Sequence, residues 1–294
     1  METNHTGELV FLGEEALPPP GVTPRFTIIP APMEATVSYG RGTAAGPAAL
    51  LAASRYIELY DEELDSEPWR VGIRTMPIAA LEGTPEDIVK AIEHQVSAVN
   101  RATLPVVLGG EHTVTLGAVA AAAARWGEFT VVSFDAHADF RDSYEGSPYS
   151  HACVMRRVVD YAKVVCVGVR SVSREEVEAI RTRRDYVLIT AAQLQELSVE
   201  DILIHCGDKV YISIDVDVLD PSIMPATGTP EPGGLEWHRL LSILRGICTE
   251  RRVIGADVVE LAPIPGFHAP EFTVAKLTYK LISFLTERGF CPPP

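Results

Sequence analysis

The chain has 294 residues, of which 47% are hydrophobic, and its formal net charge at pH 7 is −15. The length and apolar content suit one large α/β domain and argue against wholesale disorder. The charge argues against a nucleic-acid partner, because phosphates need a basic surface. It favours the approach of a small cation, although an acidic balance also simply keeps a protein soluble.

Three features of the sequence predict a cytoplasmic protein without membrane contact. No apolar run approaches the roughly 18 residues that a membrane span needs. The N-terminus has no basic segment followed by an apolar one, which is how a secretory signal begins. The five cysteines are scattered and form no CxxC pair, which indicates free thiols in a reducing compartment.

Strand and helix signals alternate along most of the chain. We expect residues 1–24 to form a poorly ordered N-terminal arm and residues 25–291 to form a single domain. Strands are predicted at 26–29, 105–108, 130–134, 163–169, 186–189, 210–214 and 253–259. Helices are predicted at 46–56, 84–102, 113–126, 151–161, 173–183, 236–250 and 272–288. The strands are mostly continuous runs of valine and isoleucine, so the pattern predicts a parallel sheet buried on both faces.

Metal-ligating side chains occupy alternate positions just after two predicted strands. Asp135, His137 and Asp139 follow one strand, and Asp215 and Asp217 follow another. In extended backbone, alternate side chains point the same way, so each set can converge on one point. Two such clusters suggest one shared cation site.

Two more polar residues follow predicted strands on the same edge of the sheet. His112 comes after a pair of glycines, and Glu260 directly follows the last strand. Ligands of open α/β sheets bind beyond the carboxyl ends of the strands. Taken singly, His112 is more typical of a helix cap or a core histidine; taken with the aspartate motifs, it is expected to be a ligand.

The resulting ligand set contains oxygen and nitrogen donors only: His112, Asp135, His137, Asp139, Asp215 and Asp217. Structural zinc favours thiolates, and no cysteine lies near these motifs. Carboxylates with some imidazole suit Mn²⁺, with Fe²⁺, Co²⁺, Ni²⁺ and Zn²⁺ as alternatives. Six ligands exceed the needs of one tetrahedral ion and suit a pair about 3.5–4 Å apart, which activates water near neutral pH.

Four segments resemble the signature segments of the ureohydrolase family, which includes arginases and agmatinases. They lie at residues 109–113, 134–139, 213–221 and 257–260. The resemblance implies a three-layer α/β/α fold with a mostly parallel sheet, two Mn²⁺ ions per chain, and a homotrimer or homohexamer. It also implies hydrolysis of a small cationic guanidino substrate to urea and an amine. Glu111 stands where many members have aspartate.

The resemblance also implies a role for each site residue. One ion would be held by His112, Asp135, Asp139 and Asp215, and the other by Asp135, His137, Asp215 and Asp217. His151 matches a loop histidine that shuttles protons, and Glu260 matches the carboxylate that receives the guanidinium. We therefore predict His151, Glu260 and Asp139 as catalytic residues.

The loop after Asp139 favours the agmatinase-like branch of the family. Arg141 replaces an asparagine with which arginases typically hold the α-carboxylate of their substrate. Agmatine carries a distal ammonium instead, which Glu231 could attract, so Arg141, Glu231 and Glu260 are the predicted substrate-binding residues.

The predicted activity is hydrolysis of agmatine to urea and putrescine, a step of polyamine biosynthesis, by a hydroxide that bridges the ions. Guanidinobutyrase, aminopropylagmatine ureohydrolase and arginase activities remain alternatives. So do a catalytically silent metal-binding scaffold and a one-zinc deacetylase-like hydrolase.

Overall fold

The computed structural model describes residues 9–18 and 21–287, which form one eight-stranded sheet. The strands are β1 (Phe26–Ala31), β2 (Ile73–Thr75), β3 (Leu104–Gly109), β4 (Thr130–Phe134), β5 (Lys163–Val169), β6 (Tyr186–Thr190), β7 (Lys209–Asp215) and β8 (Arg252–Val259). Their order is β2-β1-β3-β8-β7-β4-β5-β6, and all neighbours pair in parallel. The prediction of a mostly parallel sheet is confirmed.

The helices pack on both faces of this sheet. They are α1 (Gly46–Ser54), α2 (Pro85–Ser97), α3 (Val114–Trp126), α4 (Val154–Val158), α5 (Arg174–Arg181), α6 (Val199–Leu203), α7 (Trp237–Glu250) and α8 (Ala269–Glu287). Successive residues of β4 alternate between two core clusters. Phe134 packs in the cluster that contains α7 and α8, and Val131 packs in the cluster that contains α2 and α3. The three-layer α/β/α architecture is therefore confirmed.

Differences from the predicted elements have local causes. β2 and α6 were missed because three and five residues are too few to show a periodicity. The helix predicted at 84–102 ends at Ser97, because the Asn100 side chain accepts a hydrogen bond from the Ala102 N–H at 2.9 Å and forms a turn. The helix predicted at 151–161 is a 3₁₀ turn followed by the short α4.

Part of the predicted N-terminal arm packs against the domain. Phe11 and Leu12 are buried in the core. Their N–H groups donate to Thr75 Oγ1 at 3.0 Å and to Ser54 Oγ at 2.9 Å. Residues 1–8 and 19–20 lie outside the described residues, so the domain boundary at residue 25 stays a prediction.

The cysteines and helices bear on two further predictions. Four cysteines are free thiols, as expected: Cys153, Cys166, Cys206 and Cys248. The fifth, Cys291, lies outside the described residues. Over residues 9–18 and 21–287, each helix is too short or too polar to cross a membrane.

Candidate metal centre

The first candidate cluster surrounds a buried histidine at the loop between β3 and α3. His112 Nδ1 lies 3.2 Å from Asp135 Oδ2 and 3.0 Å from Asp139 Oδ2. The same nitrogen lies 3.5 Å from Asp215 Oδ2. His112, Asp135 and Asp139 are all buried, and their ligand atoms lie close enough together to hold one ion.

The second cluster shares Asp135 with the first. His137 Nδ1 lies 2.9 Å from Asp217 Oδ2 and 3.6 Å from Asp135 Oδ1. The two oxygens of Asp135 therefore face different histidines, which is the arrangement that a bridging carboxylate needs. The His137 side chain is 24% exposed, whereas that of His112 is 1% exposed, so the second cluster lies nearer to solvent.

Short side-chain-to-backbone hydrogen bonds shape the loops that carry these aspartates. Asp135 Oδ1 accepts from the His137 N–H at 2.6 Å, and Asp215 Oδ1 accepts from the Asp217 N–H at 2.9 Å. Such turns are typical of aspartate just beyond a strand. Asp217 Oδ1 also accepts from the Ala136 N–H at 2.9 Å, which joins the loops after β4 and β7.

Backbone strain marks two of the predicted site residues. Asp139 (φ 49°) and Glu260 (φ 66°) adopt left-handed conformations, which are rare for residues other than glycine. Each costs roughly 1–2 kcal/mol. Strain of this kind concentrates at functional sites, where the surrounding structure maintains it.

Burial and mutual repulsion raise the pKa values of Asp139 and Asp215, whereas for Asp135 hydrogen bonds to His112 and His137 overcome the effect of burial and lower the pKa. Burial raises the pKa of Asp215 well above its usual range, and the charges of Asp217 and Asp135 raise it further. Burial also raises the pKa of Glu260 to about 8. For His137, burial favours the neutral ring, but hydrogen bonds to Asp135 and Asp217 raise its pKa to about 12.

The clusters have the properties that a pair of divalent cations requires. Within the described residues, His112 Nδ1 and Asp135 Oδ2 are buried and make no hydrogen bond. Buried polar atoms without partners are costly, and a metal ion would satisfy both. The oxygen and imidazole donors fit Mn²⁺ or another first-row ion.

A hydrogen-bonded chain behind His112 sets the orientation of its ring. His112 Nε2 lies 3.0 Å from Ser213 Oγ, which donates to Asp257 Oδ1 at 2.6 Å. The contact with Ser213 leaves Nδ1 facing the carboxylates, as outer hydrogen bonds do for histidines that bind metals. The sequence showed Ser213 and Asp257 only as members of motifs and predicted no role for them.

A cavity of about 230 Å³ opens above the clusters. The predicted catalytic residues Asp139, His151 and Glu260 line it. Glu260 Oε1 accepts from the His112 N–H at 2.6 Å. Every site residue predicted from the sequence is therefore in this cavity or in the clusters at its floor.

Comparison with known proteins identifies the family. Residues 24–283 match the model of the arginase family. The chain belongs to the arginase family.

Relatives in this family resemble the chain over most of its length. It is 40% identical to the N(1)-aminopropylagmatine ureohydrolase of a Synechocystis strain, across 88% of this chain and 89% of that protein. It is 34% identical to the agmatinase of Pyrococcus horikoshii, across 87% and 90%. The structure of agmatine ureohydrolase from Thermoplasma volcanium superimposes with a TM-score of 0.83 at 31% identity, over 90% of both chains. The predicted family and enzyme class, a ureohydrolase, are confirmed.

The two other predicted substrate-binding residues of this arginase-family chain line the cavity and carry opposite charges. The Arg141 guanidinium lies 5.3 Å from the centre of the Tyr144 ring and 4.0 Å from Glu176 Oε2. The backbone carbonyl of Glu231 accepts from Arg170 Nη2 at 2.8 Å. Its carboxylate forms no hydrogen bond or ion pair with the described part of the chain, so it can receive a cation.

Arg170 is a functional candidate that the sequence did not reveal. Its Nη2 donates to the Asp217 carbonyl at 2.6 Å as well as to the Glu231 carbonyl. One guanidinium therefore ties a metal-cluster loop to the loop that carries Glu231. No motif signalled it, because the contacts are made to backbone atoms of distant segments.

Proposed function

We propose that this chain is a two-metal amidinohydrolase that hydrolyses the guanidino group of agmatine or of its N1-aminopropyl derivative. The products are urea and an amine, which for agmatine is putrescine. The observation that carries the proposal is the pair of acidic clusters joined through Asp135 at the floor of a cavity lined by His151 and Glu260.

Two Mn²⁺ ions are the proposed cofactors. One would be held by His112, Asp135, Asp139 and Asp215, and the other by Asp135, His137, Asp215 and Asp217. When bound, such a pair supplies a water molecule activated as a nucleophile near neutral pH. Asp135 and Asp215 would contribute to both ions.

Glu260 orients the substrate in this proposal. Its Oε1 is held by the His112 N–H, which leaves Oε2 to accept hydrogen bonds from the planar guanidinium. A Cβ on Gly228 would stand 4.0 Å from Oε2, an ordinary van der Waals distance, so Gly228 lines the same part of the cavity. Fixing the guanidinium carbon above the clusters supplies the orientation that this poor electrophile needs.

Asp139 and His151 would bind and transfer the protons of the attacking water and the leaving amine. Asp139 would accept a hydrogen bond from the attacking water while it binds the ion. His151, at the wall of the cavity, would donate a proton to the leaving amine nitrogen, a role that suits imidazole near neutral pH.

The cavity residues Glu231 and Arg141 bear on the choice of guanidine. Glu231 favours a substrate with a distal amine, such as agmatine or its aminopropyl derivative. The higher identity to the Synechocystis relative supports the aminopropyl compound. Arg141 favours a second candidate, a guanidino acid such as guanidinobutyrate, although Tyr144 and Glu176 already occupy part of its surface.

Urea release from a panel of guanidines tests the proposal. The panel contains agmatine, N1-aminopropylagmatine, 4-guanidinobutyrate and L-arginine, with protein loaded in turn with Mn²⁺, Ni²⁺, Zn²⁺ or Co²⁺. We expect the two amine-bearing guanidines and Mn²⁺ to give the highest kcat/KM. Protein that binds two ions and releases no urea from any guanidine would contradict the proposed function.

Matched variants separate the two classes of substrate. Glu231→Gln should raise KM for agmatine by roughly 5–10-fold, as expected for losing about 1–1.4 kcal/mol of charge pairing. Arg141→Met should leave agmatine turnover within about 2-fold. If the native protein instead prefers 4-guanidinobutyrate and Arg141→Met abolishes its turnover, the guanidino-acid hypothesis is the better one.

Assembly and location complete the proposal. We propose a homotrimer or homohexamer in the cytoplasm, as the family resemblance and the free thiols suggest. Light scattering coupled to size exclusion measures the assembly, and a mass of one chain would contradict it.

A further inference from the structure

A buried carboxylate beside the first cluster points away from the metal ligands. Glu111 precedes His112 and is fully buried. Its Oε2 accepts from the Ala35 N–H at 2.6 Å and the Thr36 N–H at 2.7 Å. Its Oε1 accepts from the Thr36 hydroxyl at 2.8 Å. The Glu111 carboxylate therefore binds the loop that follows β1.

Close packing of two loops makes this contact possible. A Cβ on Gly110 would stand only 2.0 Å from the Met33 carbonyl oxygen, so glycine is required there. The Glu111 N–H donates to the same carbonyl at 2.8 Å. The loop after β1 is thus fixed to the loop after β3 by backbone and side chain together.

The Thr36 hydroxyl also contacts His151. Thr36 Oγ1 accepts from the backbone N–H of His151 at 3.0 Å and lies 3.3 Å from the ring nitrogen Nδ1 of the same residue. A hydroxyl has one proton, and the shorter contact to a charged acceptor directs that proton to Glu111. Thr36 Oγ1 can then only accept from His151. Ser150 Oγ lies 3.4 Å from the same ring nitrogen, so Thr36, at 3.3 Å, is the nearer of two hydroxyls and favours the neutral ring with its proton on Nδ1.

This proton position has a consequence for the other ring nitrogen. With Nδ1 protonated, Nε2 has the free lone pair that gains a proton and passes it on. Nε2 lies 3.4 Å from Ser38 Oγ, and both residues line the cavity.

We propose that Glu111 is a positioning residue that acts through Thr36 to fix the place and tautomer of His151. The inference rests on the proposed function, in which His151 donates the proton to the leaving amine. Glu111 itself neither lines the cavity nor belongs to either candidate metal cluster. Glutamate has one methylene more than the aspartate found in many family members, and here its carboxylate reaches the backbone of Ala35 and Thr36.

Three variants and one control test the inference: Thr36→Val, Glu111→Gln, Thr36→Ser, and His151→Asn. The His151→Asn spectrum identifies the His151 signals by their loss. Nitrogen-15 NMR of histidine-labelled, Zn²⁺-loaded protein, at a pH where the ring is neutral, reports the tautomer without any substrate. Metal content is measured for each variant, because Glu111 adjoins His112.

We expect the native protein and Thr36→Ser to show the Nδ1–H tautomer. Thr36→Val and Glu111→Gln should show a mixture or the Nε2–H form. With agmatine and two ions bound per chain, kcat should fall by about 10-fold or more in these two variants while KM changes by less than about 3-fold. If Glu111→Gln does not fold, the comparison of Thr36→Val with Thr36→Ser tests the inference.

An unchanged tautomer and kcat in folded, fully loaded Thr36→Val would overturn the inference. This outcome is distinct from failure of the proposed function. A chain that releases no urea from any guanidine would remove the catalytic role of His151, whereas the NMR signature would still show whether Thr36 sets its tautomer.

Discussion

Two groups of acidic side chains in this protein, each built around buried aspartate, differ in how their charge is balanced. In the first, Lys280 on α8 places Nζ 2.9 Å from Asp61 Oδ1 and 2.9 Å from Glu63 Oε2. The second group consists of the aspartates of the two metal clusters at the floor of the cavity. Within the described residues, these aspartates form ion pairs with histidines only. The first group contains its own cation, whereas the second has a surplus of negative charge.

The pKa values show the consequence. Burial by itself would raise the pKa of Asp61, but hydrogen bonds to Lys280 and Ser283 and the charge of Lys280 together outweigh it, and the pKa is lowered. Burial and the neighbouring charge of Asp217 raise the pKa of Asp215 well above its usual range. The group at Lys280 is thus neutralised by an internal cation, whereas the candidate metal clusters have no lysine or arginine partner among the described residues.

The largest effect is expected from removing the carboxylate shared by both clusters. Asp135→Asn should lose both ions and reduce kcat/KM by on the order of 10³-fold or more, because the activated nucleophile is lost. Metal analysis and urea release measure both effects. Asp208→Asn, at an exposed position before β7, is the control. Retention of two ions by the Asp135 variant would contradict the assignment of a bridging ligand.

Removing the internal cation should affect stability instead of metal binding. Lys280→Met leaves the buried Asp61 carboxylate without its cation and should reduce the free energy of unfolding by about 3–5 kcal/mol. Lys276→Met is the matched control, because its Nζ makes one longer contact, 3.7 Å to Glu62, worth about 0–1 kcal/mol. Denaturant unfolding measures both. Equal losses in the two variants would show that the Lys280 cluster has no special role.

The hydrogen bond behind His112 should affect metal affinity more modestly. Ser213→Ala frees the ring and should weaken binding of the first ion by about 10–100-fold. Ser133 is the matched control: it pairs in register with Ser213 on the adjacent strand β4, and its hydroxyl makes no hydrogen bond within the described residues. Calorimetric titration with Mn²⁺ compares the two. Similar affinities in both variants would rule out ring positioning by Ser213.

The last contrast between the two groups is a pH dependence of opposite sign. The Glu260 pKa rises from 4.5 to about 8 on folding without metal, so its contribution to stability is present below pH 4.5 and is lost as pH rises to 8. The lowered pKa of Asp61 contributes stability above pH 3.8 that is lost as pH falls through the folded value.

Thermal unfolding of metal-free protein checks the sign of the pH dependence that Glu260 contributes to stability. We expect Tm to fall between pH 4.5 and 8, and Glu260→Gln to flatten this decline. Added Mn²⁺ should also remove it. A metal-free Tm that rises across this interval would show that Glu260 is ionised without a cation.

Much of the site was predictable, because the direction of the ligand side chains just beyond a strand depends only on their spacing within a short segment. Asp135, His137 and Asp139 alternate, so their common direction follows from extended backbone. The family motifs then connected them with His112, Asp215 and Glu260. The roles of Thr36 and Arg170 were not predictable, because their contacts lie 115 residues away at His151 and 47 and 61 residues away at Asp217 and Glu231.

The sequence by itself determined the parallel α/β sheet, the six candidate ligands and the family, because these depend on periodicity and on motifs within short segments. Only the tertiary structure decided that Asp135 faces both histidines, that Glu111 serves the loop after β1, and that Lys280 neutralises one acidic group. The physical reason is that burial and charge balance depend on which distant segments meet, and close packing sets this across the whole domain.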